Sequence, residues 1–395
     1  MKRSPLIFIF VTVFVDLLGY GMMVPLLPFF VQRQAGGAAA AGLLSSLYAG
    51  VQLFSGPVLG ALSDRYGRRP VLLGCLLGTA LAYLVTGLAE SLPVLFLAVA
   101  LDGLTGGNLT TAYAYIADVT APEERARGMS LVGAAFGLGL MAGPALGGLL
   151  SGFGLSVPAF TAALIALANV LFGLFALPES LPPERRTRTP AGQLLNPFGQ
   201  LAGLFRIANL RGLLAALFTL NLAFAGLQAN FPLFSQARFG WDSVRNGVFY
   251  AFVGVCAVLI QGGLFGRLQP IFGERRLARA GLVLMALGLA GLALAPLDWL
   301  LYPAVAVVAL GTGTSIPSLT GLVSGRMSAS EQGRLMGGNQ TLLSLTSILG
   351  PALAGVSFER LGPAAPYWLG AGLAAAALAI AAAALREAPV TTGRR

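Results

Sequence analysis

Two carboxylates stand where carboxylates are costly. Asp16 lies in FVTVFVDLLGYGMM and Asp102 in LAVALDGLTGGN, whereas nearly all the other acids among the fifteen Asp and Glu fall between apolar runs or at their ends. At 1.5 Å per residue Asp16 is about 15 Å into its run and Asp102 about 12 Å into its own, near the middle of a hydrocarbon layer. No Lys or Arg sits deep inside the runs to pair with them, and the chain has no histidine. Ionisable groups at such depth face a bundle interior or a water-filled path, so Asp16 and Asp102 are candidates for reversible protonation. The alternative is that they stay neutral and hydrogen-bond to a neighbour such as Asn108 or Thr105.

The second half carries no carboxylate at comparable depth, but it offers Asn221, Gln228, Asn230, Gln261, Asn339 and Gln340 in apolar surroundings. Amides there need partners, either another helix or a polar ligand. Gln228, Asn230, Gln261, Asn339 and Gln340 are accordingly candidates to line a substrate cavity, with Tyr20, Tyr48, Phe224 and Phe231 as aromatic company. The segment GPVLGALSDRYGRRP at 56–70 places Asp64, Arg65, Gly67, Arg68 and Arg69 where two apolar runs meet. Asp64 opposes the basic signal of that turn, which suggests a charge contact that latches one conformation. In GLGLMAGPALGG at 137–148, Gly143 and its neighbours permit close helix packing and Pro144 bends its helix, making either a tight contact or a seam for motion. With no histidine and no Ser or Cys beside a plausible base, nucleophilic and metal catalysis lack candidates. Cys75 and Cys256 each sit in an apolar run, where a thiol packs as a small hydrophobe. An enzyme, a metal and a cofactor are therefore not expected.

The elements that must hold these residues follow from composition. With 56% apolar and 10% charged residues, against about 25% charged in soluble domains, the solvent for most of the chain is lipid. Apolar runs of the length needed to cross a bilayer occupy 6–30, 38–62, 71–89, 94–116, 129–152, 157–177, 212–236, 247–268, 278–296, 299–324, 335–358 and 364–385. Twelve transmembrane helices are the expectation. Of the 25 Lys and Arg, only Arg33, Arg238, Arg245 and Arg360 fall on one set of alternate connections, and the other 21 fall on the opposite set. Such a bias places both termini in the cytoplasm, and it accounts for the net charge of +10 without a nucleic-acid partner. Met1-Lys2-Arg3 before an apolar stretch imitates a signal peptide, but the stretch is long, holds Asp16 and reads as the first span.

Residues 179–211 are rich in proline and arginine and form the longest polar connection, with a short amphipathic helix expected over 194–209. The flanking halves echo one another at an offset of 206 to 208 residues. Gly56, Gly60, Gly67 and Arg69 correspond to Gly262, Gly266, Gly273 and Arg275; Pro25 to Pro232; APEERARG (121–128) to ASEQGRLM (329–336); and GPALGG (143–148) to GPALAG (350–355). An all-α membrane protein of two pseudo-symmetric six-helix bundles, 1–178 and 212–395 joined by 179–211, is the expected fold, with a substrate cavity near the midplane.

GALSDRYGRRP resembles the signature between spans 2 and 3 of the major facilitator superfamily, and GLGLMAGPALGG the antiporter motif of its span 5. DLLGYGMMVPLLP (16–28) is similar to the span 1 motif of its twelve-span drug exporters, and DGLTGGNLTTAYAYIADVTAPEERARG (102–128) to the span 4 region of the tetracycline-resistance branch. The resemblance implies a proton-coupled antiporter exporting hydrophobic drugs by alternating access, a monomer in the cell (inner) membrane. It matches Asp16 to the family's span 1 acid, Asp64, Arg65, Gly67, Arg68 and Arg69 to the gating signature, and Gly143 and Pro144 to the antiporter motif. Val99 stands where that family commonly has a span 4 arginine, and span 9, ALGLAGLALAP, has no acid. Both departures move the expected proton chemistry onto Asp16 and Asp102. A uniporter or proton symporter for a small metabolite is the other transporter reading.

Overall fold

In hydrocarbon a backbone amide has no water to fall back on, so a chain this apolar must close its hydrogen bonds within helices. A computed structural model of the chain describes residues 5–120, 125–186, 197–327 and 332–386. Among the described residues every regular element is helical. The first half comprises α1 (Pro5–Met23), α2 (Leu27–Arg33), α3 (Ala38–Tyr66), α4 (Arg68–Leu88), α5 (Leu92–Thr105), α6 (Asn108–Val119), α7 (Arg125–Ser151) and α8 (Val157–Ala176). The remainder comprises α9 (Pro197–Phe205), α10 (Ala208–Phe239), α11 (Ser243–Leu259), α12 (Phe265–Leu294), α13 (Leu301–Ser324), α14 (Gln332–Leu361) and α15 (Ala365–Arg386). A five-residue π-helical turn, Ile260–Leu264, joins α11 to α12.

Eleven stretches among the described residues are long and apolar enough to cross a membrane. One of them, Ser243–Leu294, runs 52 residues, or about 78 Å at 1.5 Å per residue, more than twice the roughly 30 Å of a hydrocarbon core. It divides at Gly273, whose φ of 71° and ψ of 157° are not helical. Counting that stretch as two crossings makes twelve, as the apolar runs predict. Gly67 holds φ 108° between α3 and α4, so the two glycines paired by the sequence repeat share a positive-φ corner.

By packing, the chain forms two units, one of residues 1–196 with 229–254 and one of 197–228 with 255–395. These contact units differ from the sequence division at 178 and 211, because the end of α10 and most of α11 pack within the first unit. Inside that unit α1 lies along α7 and α8, and α4 against α5 and α8. Glycines set the spacing: a Cβ built on Gly143 would stand 2.7 Å from Cα of Gly21, and one on Gly148 would stand 2.5 Å from Cα of Gly247. The antiporter-like motif is thus a tight backbone contact, with Pro144 carried inside a continuous α7. In the second unit α12 packs on α13 and α15, and Gly281 and Gly311 bring α12 and α13 equally close. The short helix expected over 194–209 is present as α9, with Leu201 and Leu204 buried and Leu204 packed over Gly338 of α14. The landmarks at 121–124 and 328–331 and the linker residues 187–196 lie outside the described residues.

The two corners differ in what a side chain would meet. A Cβ on Gly67 enters the carboxylate of Glu179, whereas one on Gly273 meets nothing within 4 Å. Both substitutions to alanine carry a conformational penalty of roughly 1–3 kcal/mol. Gly67→Ala is expected to lower the melting temperature of the detergent-purified protein further than Gly273→Ala; equal shifts would show that Glu179 contributes nothing there.

Candidate functional site

One polar cluster of the first unit is built by a broken helix. The fourth crossing is interrupted at Gly106-Gly107, leaving Asp102 in the last turn of α5 and Asn108 as the first residue of α6. The break requires glycine because α3 presses on it: a Cβ on Gly107 would stand 2.7 Å from Cα of Gly56, and one on Gly103 would stand 2.9 Å from the Tyr48 carbonyl. Carbonyls near the break need donors, and α3 provides them. Gln52 Nε2 donates to Gly106 O at 2.8 Å, and Ser55 Oγ to Gly103 O at 2.8 Å.

Both predicted acids stand near the break, Asp102 on α5 and Asp16 on α1. Asn108 Nδ2 donates to Asp16 Oδ2 at 2.9 Å, while the Thr79 hydroxyl donates to the Asp102 carboxylate and lies 3.2 Å from the Thr105 hydroxyl. The two carboxyl groups interact electrostatically, and Tyr20, Tyr48 and Tyr83 all feel the charge of Asp102. The rings of Tyr20 and Tyr48 are 5.5 Å apart. The ion pairs found among the described residues both belong to Arg68, so neither Asp16 nor Asp102 has a cationic partner there. A half-buried acid pair ringed by neutral donors can take up or release a proton without breaking a salt bridge.

A second cluster closes the α3–α4 corner. Arg68 is buried and reaches three groups: Asp64 Oδ1 at 2.6 Å through Nη1, Ser63 Oγ at 2.6 Å through the same nitrogen, and Asp118 Oδ2 at 3.1 Å through Nε. The backbone N–H groups of Arg68 and Arg69, at the start of α4, donate to the two oxygens of Glu179 at 2.8 and 3.3 Å. A carboxylate suits that place because a helix N-terminus carries unpaired N–H groups and partial positive charge. Ser180 Oγ donates to Asp118 Oδ2 at 3.1 Å, Arg69 donates to the Leu174 carbonyl, and the Arg65 guanidinium lies 5.1 Å from the centre of the Tyr66 ring. Asp64 therefore pairs within its own corner.

The second unit contains a cavity of about 460 Å³ lined by Phe224, Gln261, Phe265, Thr312, Gly313, Ile316, Pro317 and Thr320. Gln261 belongs to the π-helical turn, a distortion frequent at functional sites. The lining joins aromatic faces to amide and hydroxyl groups and contains no charge. Of the five predicted cavity residues Gln261 is present, whereas Gln228, Asn230, Asn339 and Gln340 do not line it. Asn230 is buried in α10 and Gln340 is exposed.

The family model described as Major Facilitator Superfamily matches residues 9–327 and 263–395. The chain belongs to the major facilitator superfamily. Among its relatives in the superfamily, the chain is 36% identical to Tetracycline resistance protein, class C, of Escherichia coli over 89% of each chain. It is 34% identical to the class E protein of Escherichia coli, over 94% of this chain and 92% of that one. Its fold matches the crystal structure of the human organic anion transporter MFSD10 with a TM-score of 0.71 and 26% identity, over 96% of this chain and 99% of that one. It matches the nucleoside transporter NupG with a TM-score of 0.77 over 97% and 99% of the chains, at 15% identity, a likeness of fold alone. The chain is thus an integral, multi-pass membrane transporter of the major facilitator fold and no enzyme.

Asp118 and Glu179 escaped the sequence reading because their partners lie 50 and 111 residues away; their only local signal was an acid at the end of an apolar run. Removing Arg68 takes the ion-pair partner from Asp64 and Asp118, and removing Asp118 leaves Arg68 with one acid, Asp64, and the Ser63 hydroxyl. Arg68→Ala and Asp118→Ala are each expected to lower stability by about 1–3 kcal/mol, and the double variant to fall short of their sum by about 0.5–3 kcal/mol. Additive losses in melting experiments would show the pair uncoupled.

Proposed function

We propose that this protein is a proton-coupled exporter of hydrophobic drugs that works by alternating access as a monomer in the inner membrane, with both termini cytoplasmic. The observation that carries the reading is the acid pair Asp16 and Asp102, set at a helix break without a cation, in a chain similar to tetracycline resistance proteins along most of its length. In this scheme protonation of the pair favours one orientation of the carrier, and substrate binding with proton release favours the other. The neutral cavity beside Gln261 supports binding of an uncharged, ring-bearing part of the substrate. The Arg68 cluster, with Asp64, Arg65, Gly67 and Arg69 at the same corner, supports a latch, and the Gly143–Gly21 contact supports α1 and α7 moving together.

Coupling between proton and substrate amounts to a free energy of about 1–3 kcal/mol, or about 5–150-fold in affinity. Purified protein in liposomes is expected to drive drug accumulation against a pH gradient and to lose it when the gradient is dissipated. Asp16→Asn and Asp102→Asn are expected to abolish gradient-driven accumulation while leaving downhill substrate exchange. Full gradient-driven transport in both variants would overturn the proton assignment, and transport indifferent to pH would return the protein to the uniporter class.

Loss of a neutral hydrogen bond to a ligand costs about 0.5–1.5 kcal/mol. Gln261→Leu is therefore expected to weaken substrate half-saturation by roughly two- to tenfold, and Gln340→Leu to leave it unchanged. Equal behaviour of the two in a concentration series would remove the cavity from the substrate path.

A further inference from the structure

The two halves of the repeat neutralise their glycine corners differently. At the first corner Glu179 sits on the backbone of Arg68 and Arg69, and two more acids flank the Arg68 side chain. At the second corner Arg275, just after Gly273, is exposed and lies within electrostatic reach of Arg326, which follows the end of α13. Arg326 is held by carbonyls from two other helix ends: Nη1 donates to Asn209 O at the start of α10, and Nη2 to Ala384 O, 3.5 Å away in the last turn of α15. Burial and the Arg275 charge push the Arg326 guanidinium below its ordinary value, and neither arginine is in an ion pair found among the described residues. The adjacent acid Glu274 accepts from Gln269 Nε2 at 3.2 Å and packs on Gly321. Arg211 and Arg386, both exposed, follow Asn209 and Ala384 by two residues. Asn209, Arg326 and Ala384 each fall within two residues of the end of a membrane-length stretch, the depth of lipid headgroups.

We infer that the ends of α10, α13 and α15, with the Gly273 corner, form a notch that binds the phosphate of an anionic phospholipid through Arg275 and Arg326. Guanidinium groups match phosphate oxygens in paired donors, and arginines where spans leave the membrane attract anionic headgroups. The acyl chains of such a lipid lie along the spans, which distinguishes it from a free anion. The assignment does not depend on the substrate or on proton coupling.

Native mass spectrometry of the full-length protein, titrated with phosphatidylglycerol or phosphatidylcholine, tests it. Phosphatidylglycerol is expected to bind more tightly, and Arg275→Gln to weaken it by about fivefold, the share of one arginine near a membrane surface. Arg326 also ties helix ends together, so Arg275 is the informative position. Arg360→Gln, which removes the same charge from an exposed residue at the end of α14, is expected to leave lipid binding unchanged. The proposal is overturned by equal affinity for the two lipids, by equal losses in the Arg275 and Arg360 variants, or by inorganic phosphate displacing the lipid completely.

Discussion

Hydrocarbon offers a helix bundle no hydrophobic driving force, since lipid tails are as apolar as leucine; what remains is close packing and the obligation to pair every polar backbone group. Both act through glycine in this chain. Gly21 and Gly143 bring α1 onto α7, Gly281 and Gly311 bring α12 onto α13, and Gly107 meets Gly56 where the fourth crossing breaks. At that last contact the two constraints meet. A break in a buried helix is tolerated only if α3 approaches closely enough to satisfy the nearby carbonyls, and Gln52 and Ser55 do so. The acid pair exists at mid-span because that repair leaves a polar niche around it.

The same economy explains how charge is distributed in the first unit. Near the break the donors found to the carboxylates among the described residues, Asn108 and Thr79, are neutral. At the α3–α4 corner a buried arginine is surrounded by acids instead. A buried charge left alone is costly, and the two regions avoid that cost by opposite means: the first through a group able to become neutral, the second through ion pairs.

Much of this was legible in the sequence. Twelve crossings followed from run length, and even the merged Ser243–Leu294 stretch was resolved by Gly273, which the repeat had already paired with Gly67. Asp16 and Asp102 stood out because neither has a basic partner on its own span, and Asn108, named as a hydrogen-bond candidate, does donate to Asp16. The cavity-lining amide was less legible. On an apolar helix an amide that packs and one that faces a ligand look alike, so Gln261 was indistinguishable from Asn221, which spends its donor on Leu217 O at 2.8 Å. Asp118 and Glu179 were invisible for a different reason: long-range partners leave no period or spacing to read. The repeat also conceals a reversal of charge, because its offsets carry Arg68 onto Glu274 and Asp118 onto Arg326. A pseudo-symmetric backbone thus supports electrostatics of opposite sign at matching positions.

Gly67 is the whole connection between α3 and α4. A one-residue joint has no slack: a tilt of α3 must either turn the two dihedral angles of that glycine or be delivered undiminished to the start of α4. Glu179, seated on the next two amides, resists the first option. The corner then works as a rigid crank, and a displacement at one end of the second span becomes a rotation of the third, with little strain absorbed in between.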